Sequence, residues 1–241
     1  MTITSPHNEK LKEMRKLAAR RRERERTGRF VAEGEDLLGA ADAAGWPALE
    51  RFCAEGSGLA GIEVEPSLLA GVSGLGSGTR AMAVYAERWA PAAVGPLCVY
   101  LDGVGDPGNV GTVLRSAEAF GASCVALGPG CADPFSPKAV RASMGAVFSV
   151  ALARVATVAE LPGTTLALAA GEGRPLAELT AHELSSDSPV SLLIGAEREG
   201  LPADVLAAAH VIAHIPIATH SLNAAMAATV ALYEVTRMAP A

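Results

Sequence analysis

The sequence predicts an α/β protein whose C-terminal part is a parallel sheet with flanking helices, preceded by a small α/β unit. From residue 97 onward, short runs rich in Val, Ile, Leu and Ala alternate with helical segments. Near-continuous apolar runs are typical of strands buried on both faces, and their alternation with helices indicates a parallel sheet. The predicted strands are 97–101, 123–127, 165–169, 190–194 and 211–215, followed by a last helix over about 221–237.

The N-terminal part has a different order of elements. Leu11, Met14 and Leu17 recur at helical spacing and predict a helix over 6–26. The further predicted elements of this part are a strand over 29–32, a helix over 35–44 and a strand over 81–87.

Residues 88–96 carry two prolines and predict a linker. We therefore expect two domains, 1–90 and 91–241.

Charge is distributed unevenly between these parts. The chain has a net charge of −6, yet residues 1–30 hold ten of its twenty Lys and Arg against four Glu, which makes this segment +6 and the remainder −12. A basic segment on an acidic body favours contact with a polyanion such as RNA. The alternative is a solvated helix with ion pairs such as Glu9–Lys12 and Glu13–Lys16. The candidate RNA contacts here are Lys12, Arg15, Arg20, Arg21 and Arg22.

Composition excludes several classes of protein. No apolar run approaches the ~20 residues that span a bilayer, and no hydrophobic segment follows the basic N-terminus as in a signal peptide, so we expect a cytoplasmic protein without membrane contact. The four cysteines form no CxxC pair and are expected to be buried free thiols. His214 and His220 lack metal-ligand spacing, so no metal is expected.

The first loop with candidate functional residues covers residues 102–115, between a predicted strand and a helix. Gly103, Gly105 and Gly108 form a G-x-G-x-x-G pattern, which favours a dinucleotide site. Such a site needs an acidic residue at the end of the next strand, and the sequence there is Leu-Gly-Pro-Gly. The loop then offers Asn109 and Arg115 as its polar residues.

Two further loops follow later strands. In residues 192–202, Gly195 and Gly200 flank Glu197 and permit close approach of the backbone to a ligand; the alternative is a plain corner with a surface carboxylate. In residues 214–227, Ser221 is a natural N-cap for the last helix. Asn223, in the first turn of an apolar helix, calls for a buried partner.

Together the three loops resemble the SpoU/TrmH branch of the SPOUT methyltransferase superfamily. That family carries N-x-G-x-x-x-R, then G-x-E-x-x-G, then I-P followed by S-L-N, in this order. The N-terminal segment, from 5–8 through 30–34, is similar to the ribosomal-protein-like RNA-binding domain of many members. The matching residues are Asn109, Gly111 and Arg115, then Gly195, Glu197 and Gly200, then Ile215, Pro216, Ser221, Leu222 and Asn223.

The resemblance implies a deep trefoil knot in the C-terminal domain, a homodimer with the last helix at the interface, and S-adenosylmethionine as the cofactor. No metal is implied. The adenine of the cofactor would be held by backbone groups and apolar side chains of the knotted loops. The residues implied for cofactor binding are Ala169, Gly195, Ile215, Pro216 and Leu222.

The implied reaction is methyl transfer to a ribose 2′-hydroxyl of structured RNA. Arg115 would be catalytic, orienting the hydroxyl and the adjacent phosphate while charge develops. Hydrogen bonds from Asn109, Glu197, Ser221 and Asn223 would fix it and the loops.

A segment with Arg141 and Ser143 also resembles a family segment near the RNA, although a solvated helix end is the alternative. The loop 216–221 is shorter than in many relatives, which bears on the nucleotide that can enter.

The resemblance favours 23S ribosomal RNA as the substrate, with antibiotic self-resistance as one role. The alternatives are a tRNA 2′-O-methyltransferase, a catalytically silent RNA-binding protein of the same fold, and a nicotinamide-dependent oxidoreductase.

Overall fold

The computed structural model describes residues 2–75, 78–180, 184, 188–219 and 221–238. The chain forms two compact units: an N-terminal unit of residues 1–88 and 133–149, and a C-terminal unit of 89–132 and 150–241. The helices and strands are, in chain order, α1 (Glu9–Ala19), α2 (Arg21–Thr27), β1 (Arg29–Glu33), α3 (Glu35–Ala43), β2 (Ala48–Ala54), β3 (Ile62–Val64), α4 (Pro66–Ala70), β4 (Ala81–Ala86), β5 (Leu97–Leu101), α5 (Pro107–Ala119), β6 (Cys124–Leu127), α6 (Pro137–Ala142), β7 (Ala151–Arg154), β8 (Thr164–Leu168), β9 (Arg174–Pro175), β10 (Val190–Ile194), α7 (Ala203–Ala208), β11 (Val211–His214) and α8 (Ala224–Met238).

The N-terminal unit is built on a mixed sheet with the strand order β1-β4-β2-β3 among the described residues. Strand β4 pairs antiparallel with β1 and β2, and β2 pairs parallel with β3. The apolar face of α1 is buried in the core of this unit through Leu11, Met14 and Leu17, as their spacing predicted.

The predicted single helix over 6–26 is wrong, because the chain is extended at Arg20 (φ −128°, ψ 113°) between α1 and α2. The buried side chain of Arg24 explains the break. Its guanidinium donates to the carbonyl of Leu17 (2.5 Å) and pairs with Asp133 (2.7 Å). It thereby satisfies a C-terminal carbonyl of α1 that has no partner inside the helix.

Segment 133–149 belongs to the N-terminal unit, although in sequence it lies between β6 and β7. Its aromatic residues Phe135 and Phe148 pack against Phe30 of β1, with ring centroids 4.7 and 6.0 Å away. The core of this unit therefore contains residues from both ends of a long sequence interval.

The C-terminal unit confirms the predicted parallel sheet. Within the described residues the strand order is β7-β6-β5-β10-β8-β11-β9, and every neighbouring pair is parallel. The five predicted strands are present to within one residue at each end, whereas the short β7 and β9 were not predicted. The trefoil knot stays a prediction.

All four cysteines are free and buried, as predicted. Cys98 lies directly opposite Cys124 on the neighbouring strand. The hydrogen bond to Cys124 and burial raise the pKa of the Cys98 thiol, which therefore stays protonated. Among the described residues, every helix is too short or too polar to cross a bilayer.

Candidate functional site

The carboxyl ends of four neighbouring strands carry the loops singled out from the sequence. Residues 102–106 follow β5, 195–202 follow β10, and 215–223 follow β11, while Ala169 directly follows β8. Because β5, β10, β8 and β11 are adjacent and parallel, these loops share one edge of the sheet. Ligands of open α/β sheets bind outside such an edge.

Three polar side chains meet there, two from these loops and one from the first turn of α5. We call Asn109, Glu197 and Asn223 the amide–carboxylate cluster. The Asn109 amide donates to Glu197 Oε1 over 2.6 Å. The Asn223 amide donates to Glu197 Oε1 and to Asn109 Oδ1, the latter over 3.1 Å. The structure therefore brings together three predicted site residues, and the interpretation of Glu197 as part of a plain corner is wrong.

Each amide of the cluster has a defined orientation. Asn109 lies in the first turn of α5, whose N-cap Asp106 accepts a hydrogen bond from its backbone N–H (3.1 Å). Asn223 Oδ1 accepts from the backbone N–H groups of Ala225 (3.0 Å) and Met226 (3.3 Å). The oxygen of Asn223 is thus used to cap α8, which leaves its NH₂ group for the cluster.

This capping corrects the prediction for Ser221. Helix α8 begins at Ala224, three residues later than expected, and Asn223 is its cap. Ser221 is exposed, and its carbonyl accepts a hydrogen bond from the hydroxyl of Thr219 (3.3 Å). Within the described residues, no hydrogen bond joins Ser221 to the amide–carboxylate cluster.

The packing of the loop around position 195 requires glycine there. Ala196 and Gly200 exchange two backbone hydrogen bonds, of 3.1 and 2.9 Å, and close a tight loop that presents Glu197. A Cβ atom at position 195 would lie 2.2 Å from the carbonyl carbon of Gly200 and 2.3 Å from the nitrogen of Leu201. Glycine here permits the approach of two backbone segments, independently of any ligand.

Among the described residues, Arg115 forms no hydrogen bond with the cluster. It lies on α5 with an exposed side chain, one residue before Ser116, whose hydroxyl meets that of Thr229 on α8 (2.6 Å). Among the described residues, no hydrogen bond or ion pair engages its guanidinium. The structure therefore leaves this predicted catalytic group available to a ligand, without joining it to the other site residues.

The predicted cofactor contacts fit an adenine-containing ligand. Ala169, Ile215 and Leu222 are half-buried, whereas Pro216 is exposed. Ala169 donates its N–H to the carbonyl of Ala213 (3.0 Å). In the described part of the chain, the backbone groups of Leu222 have no hydrogen-bond partner. Half-buried apolar side chains beside unpaired backbone groups are what a flat heterocycle with a polar edge requires.

A buried pair behind the first loop was missed in the sequence. The Tyr100 hydroxyl donates to Asp102 Oδ2 over 2.7 Å, and burial raises the pKa of Tyr100, which keeps it a donor. A Cβ atom at position 128 would lie 2.3 Å from this hydroxyl. Gly128, directly after β6, was the only signal of this pair. Its position is also where a dinucleotide site needs a carboxylate.

Several cations of the basic N-terminal segment are paired. Lys12 pairs with Glu9 (2.8 Å), as predicted, and Arg21 pairs with Glu25 (2.8 Å). The Glu13–Lys16 pair of the alternative interpretation is not formed among the described residues, because Glu13 pairs instead with Arg29 (2.9 Å) on β1.

Three of the candidate RNA contacts have no acidic partner among the described residues. Arg15 donates to the carbonyl of Pro6 (3.0 Å). Arg20 and Arg22 are exposed. These three guanidiniums are the cations of the segment most available to a phosphate.

Arg141 and Ser143 do not form a solvated helix end. Arg141 pairs with the buried Glu33 (2.5 Å), and its side chain is about one-third exposed. Ser143 is fully buried and donates to the carbonyl of Val140 (2.8 Å). Only Arg141 can reach a ligand.

The described residues contain no cluster of His, Cys, Asp and Glu able to hold a metal ion. His214 Nδ1 lies 3.0 Å from the carbonyl oxygen of Glu172. His220 lies outside the described residues.

Comparison with known proteins agrees with this arrangement. An uncharacterized tRNA/rRNA methyltransferase of Mycobacterium tuberculosis is 38% identical over 149 residues, which are 57% of this chain and 50% of that protein. The chain thus spans half the length of that relative. The 23S rRNA (guanosine(2553)-2′-O)-methyltransferase of Bacillus subtilis is 27% identical over 96% of this chain and 97% of its own length.

A crystal structure of an AdoMet-bound rRNA methyltransferase from Sinorhizobium meliloti superimposes with a TM-score of 0.87 at 29% identity, covering 100% of this chain and 99% of that chain. Residues 8–87 match the MRM3-like substrate binding domain. Residues 96–233, more than half of the chain, match the SpoU rRNA Methylase family. The chain therefore belongs to the SpoU rRNA methylase family.

Proposed function

We propose that this protein transfers a methyl group from S-adenosylmethionine to a ribose 2′-hydroxyl of structured RNA, with 23S ribosomal RNA as the substrate. The observation that carries the proposal is the amide–carboxylate cluster, which joins three separate segments of the chain at the carboxyl edge of the sheet. The name of the Bacillus relative and the AdoMet-bound Sinorhizobium structure support the same reaction.

Five residues around that edge would hold the cofactor: Ala169, Gly195, Ile215, Pro216 and Leu222. S-adenosylmethionine supplies an electrophilic methyl group on a sulfonium. The loop residues contribute apolar contacts from Ile215 and Leu222 and backbone hydrogen bonds. Gly195 permits the tight loop that presents Glu197.

The amide–carboxylate cluster would orient the ribose. Glu197 Oε1 receives both amides, while Oε2 has no partner among the described residues. A carboxylate oxygen beside a ribose accepts a hydrogen bond from its hydroxyl, and the two asparagines hold that carboxylate in one position. Ordering of this kind contributes to rate because the attacking oxygen must lie about 3–3.5 Å behind the methyl carbon. Ser221, at the end of the same loop, would help to position the chain there.

Arg115 would act as a cation. Arginine side chains stay protonated in proteins, so Arg115 would orient the 2′-hydroxyl and the neighbouring phosphate and stabilise negative charge as it develops. Its guanidinium is exposed and has no hydrogen-bond or ion-pair partner in the part of the chain that the structure describes, which suits this role.

The last helix supports assembly into a homodimer. Met226, Val230 and Tyr233 recur at helical spacing on α8 and are 62%, 39% and 53% exposed. An exposed apolar stripe of this kind is typical of an interface, and a second copy of the chain presents the same stripe, as a two-fold dimer requires.

RNA binding would depend on an N-terminal domain formed by residues 1–90. Arg141 would also contact the RNA. The match to a substrate binding domain supports this assignment. The available cations are Arg15, Arg20 and Arg22, with Lys12 and Arg21 reaching RNA from within their ion pairs. We also propose a cytoplasmic location, where ribosomal RNA would be available as the substrate. Modification of an antibiotic's ribosomal site would be one role of this reaction, and tRNA is the alternative substrate.

The deciding experiment is methyl incorporation into ribosomal RNA from labelled S-adenosylmethionine, with mass spectrometry of the digested RNA to locate the modified nucleotide. Calorimetry with S-adenosylmethionine and with NAD separates this reaction from an oxidoreductase. RNA binding without incorporation into ribosomal RNA or tRNA would overturn the proposal in favour of a silent RNA-binding protein.

The first prediction concerns Arg115. Arg115→Ala should lower methyl incorporation at least a hundredfold, because one charge-stabilising donor contributes about 10²–10³ in rate. Cofactor affinity, measured by calorimetry, should stay within a few fold. Arg115→Lys keeps the charge without the planar fork and should recover part of the rate. Equal activity of the wild type and Arg115→Ala would show that Arg115 does not have the proposed role.

A further inference from the structure

A cavity of about 360 Å³ lies within the N-terminal unit, formed by described residues of that unit alone. Its walls are largely apolar and include Ala18 on α1, Val31 on β1, Val140 on α6, and Val72. Sites for small organic ligands begin at about 300 Å³. The cavity is therefore large enough to hold one heterocyclic group.

The cavity contains one buried carboxylate with a free acceptor position. Glu33 is 7% exposed and accepts hydrogen bonds from Arg141 Nη1 (2.5 Å), Ser73 Oγ (2.6 Å) and the Gly74 backbone N–H (3.1 Å). The last two converge on Oε2, whereas among the described residues Oε1 receives a hydrogen bond only from Arg141. Since each carboxylate oxygen accepts about two hydrogen bonds, one position on Oε1 is left for a ligand.

Two guanidiniums also line the cavity. Arg141 engages Glu33 through Nη1 alone, and Arg15 engages the carbonyl of Pro6 through Nη1 alone. A guanidinium carries five N–H donors, so both retain donors. Because Arg141 and Glu33 neutralise each other, Arg15 gives the lining a net positive charge.

These three features together fit a nucleotide. Apolar walls suit the faces of a base, a buried acceptor suits an N–H group on its edge, and guanidiniums bind phosphate in a bidentate manner. Proteins that recognise RNA by sequence mostly bind unpaired bases that are turned out of the helix. A purely aliphatic ligand would leave both the free carboxylate position and the guanidinium donors unused, since it carries no hydrogen-bonding group.

We infer that this cavity receives one unpaired nucleobase of the RNA, with Glu33 accepting from its amino group and Arg15 and Arg141 holding the adjoining phosphate. The inference rests on the proposed action on RNA and adds a recognition site away from the methyl-transfer loops. Uracil has no exocyclic amino group, and its one donor on that edge, N3–H, lies between two carbonyl oxygens that repel a carboxylate. Uracil should therefore bind less well than guanine, adenine or cytosine.

The test uses the full chain and the four nucleoside 5′-monophosphates, GMP, AMP, CMP and UMP, titrated by NMR. Saturating S-adenosylhomocysteine is present throughout, so that AMP does not report on the cofactor loops. The first three nucleotides should bind at least fivefold more tightly than UMP. Ala18→Phe, which fills the cavity from a half-exposed position on α1, should weaken their binding at least tenfold.

Ala43→Phe is the matched control, because Ala43 is an exposed alanine at the end of α3 outside the cavity. It should bind as the wild type does. Thermal melting shows whether each variant is folded. Glu33→Gln should reduce the preference over UMP, and if this variant fails to fold, Ala18→Phe still decides.

The inference would be overturned if the nucleotides bound Ala18→Phe as tightly as the wild type, or if no nucleotide bound the wild type. If the wild-type protein methylated ribosomal RNA in either case, the proposed function would still stand. Conversely, nucleotide binding that Ala18→Phe abolishes, with no methyl transfer by the wild type, would support the cavity and contradict the proposed reaction.

Discussion

At the residue scale, one oxygen atom organises the candidate site. Glu197 Oε1 receives hydrogen bonds from the amides of Asn109 and Asn223, which lie 88 and 26 residues away in sequence. Each amide therefore has its donor end directed at the same carboxylate. A group that fixes two others in this way is sensitive to loss of charge, since hydrogen bonds to charged groups contribute about 1.5–3 kcal/mol.

We expect Glu197→Gln to lower the rate of methyl incorporation by about ten- to a hundredfold, which corresponds to one charged hydrogen bond. Cofactor affinity should change by no more than a few fold. Glu199→Gln, an exposed carboxylate in the same loop, is the matched control and should retain the wild-type rate. Equal rates for the two variants would show that the cluster has no part in the reaction.

A second residue of interest is Tyr85, whose hydroxyl is buried without a hydrogen-bond partner among the described residues. Removing an unsatisfied buried hydroxyl recovers its desolvation penalty of about 1–3 kcal/mol. Tyr85→Phe should therefore unfold at a higher denaturant concentration than the wild type. A lower midpoint would mean that the hydroxyl has a partner.

The same hydroxyl predicts a pH dependence. Burial raises the pKa of Tyr85 from 10.0 to about 12. Because the folded pKa lies above the unfolded one, the wild type should lose stability between pH 10 and 12, as the unfolded chain releases this proton first. Urea titrations across that range should show a smaller loss in Tyr85→Phe. Parallel losses would contradict this assignment.

At the scale of elements, helix α8 depends on the same side chain that completes the site. Asn223 caps the helix with its oxygen and binds Glu197 and Asn109 with its nitrogen. Capping and clustering are therefore separable by the choice of substitution.

Asn223→Ala should lower the free energy of unfolding by about 1 kcal/mol through loss of the cap, and should also lower the rate. Asn223→Ser restores an oxygen that can cap but provides no amide donor to Glu197. It should therefore be nearly as stable as the wild type in thermal melts while remaining slow in methyl transfer. Full activity of the serine variant would show that only the cap is needed.

The elements also show what sequence patterns can and cannot predict. Runs of apolar residues located the central strands well, since burial on both faces leaves a strong signal. Ser221 and Asn223 are both good caps, and their sequence positions do not distinguish them. In the structure Asn223 caps α8 and also binds Glu197. The break at Arg20 was hidden because it depends on Arg24 of α2, a charged residue whose side chain is buried and bound to the C-terminal end of α1.

The candidate site was predicted through a family resemblance rather than from periodicity. Motif order indicated that Asn109, Glu197 and Asn223 belong together, and the structure confirms their contact. Arg115 could not be placed in the same way, because an exposed cation on a helix has no local partner to fix its direction.

At the scale of the whole molecule, the N-terminal unit is discontinuous in sequence. Phe135 and Phe148 lie in its core, against Phe30 and Tyr85. Nothing in the sequence distinguishes these aromatic residues from core residues of the C-terminal unit, so a boundary at the proline-rich linker was the natural expectation.

This organisation predicts the outcome of truncation. A chain beginning at residue 91 would expose the aromatic residues of segment 133–149, so it should be far less soluble than the full chain and should bind the dye ANS. The same truncation carrying Phe135→Ser and Phe148→Ser should regain solubility. A soluble, ANS-silent truncated chain without these substitutions would contradict the assignment of segment 133–149 to the N-terminal unit.

The divided unit also sets an order of events during synthesis. Residues 1–88 leave the ribosome before segment 133–149 exists, and 61 more residues must be added before residue 149 is in place. At about 5–20 residues per second this takes roughly 3–12 s. During that interval Phe30 lacks its neighbours Phe135 and Phe148, and Tyr85 lacks Phe148. The nascent chain therefore exposes apolar surface to which a chaperone can bind.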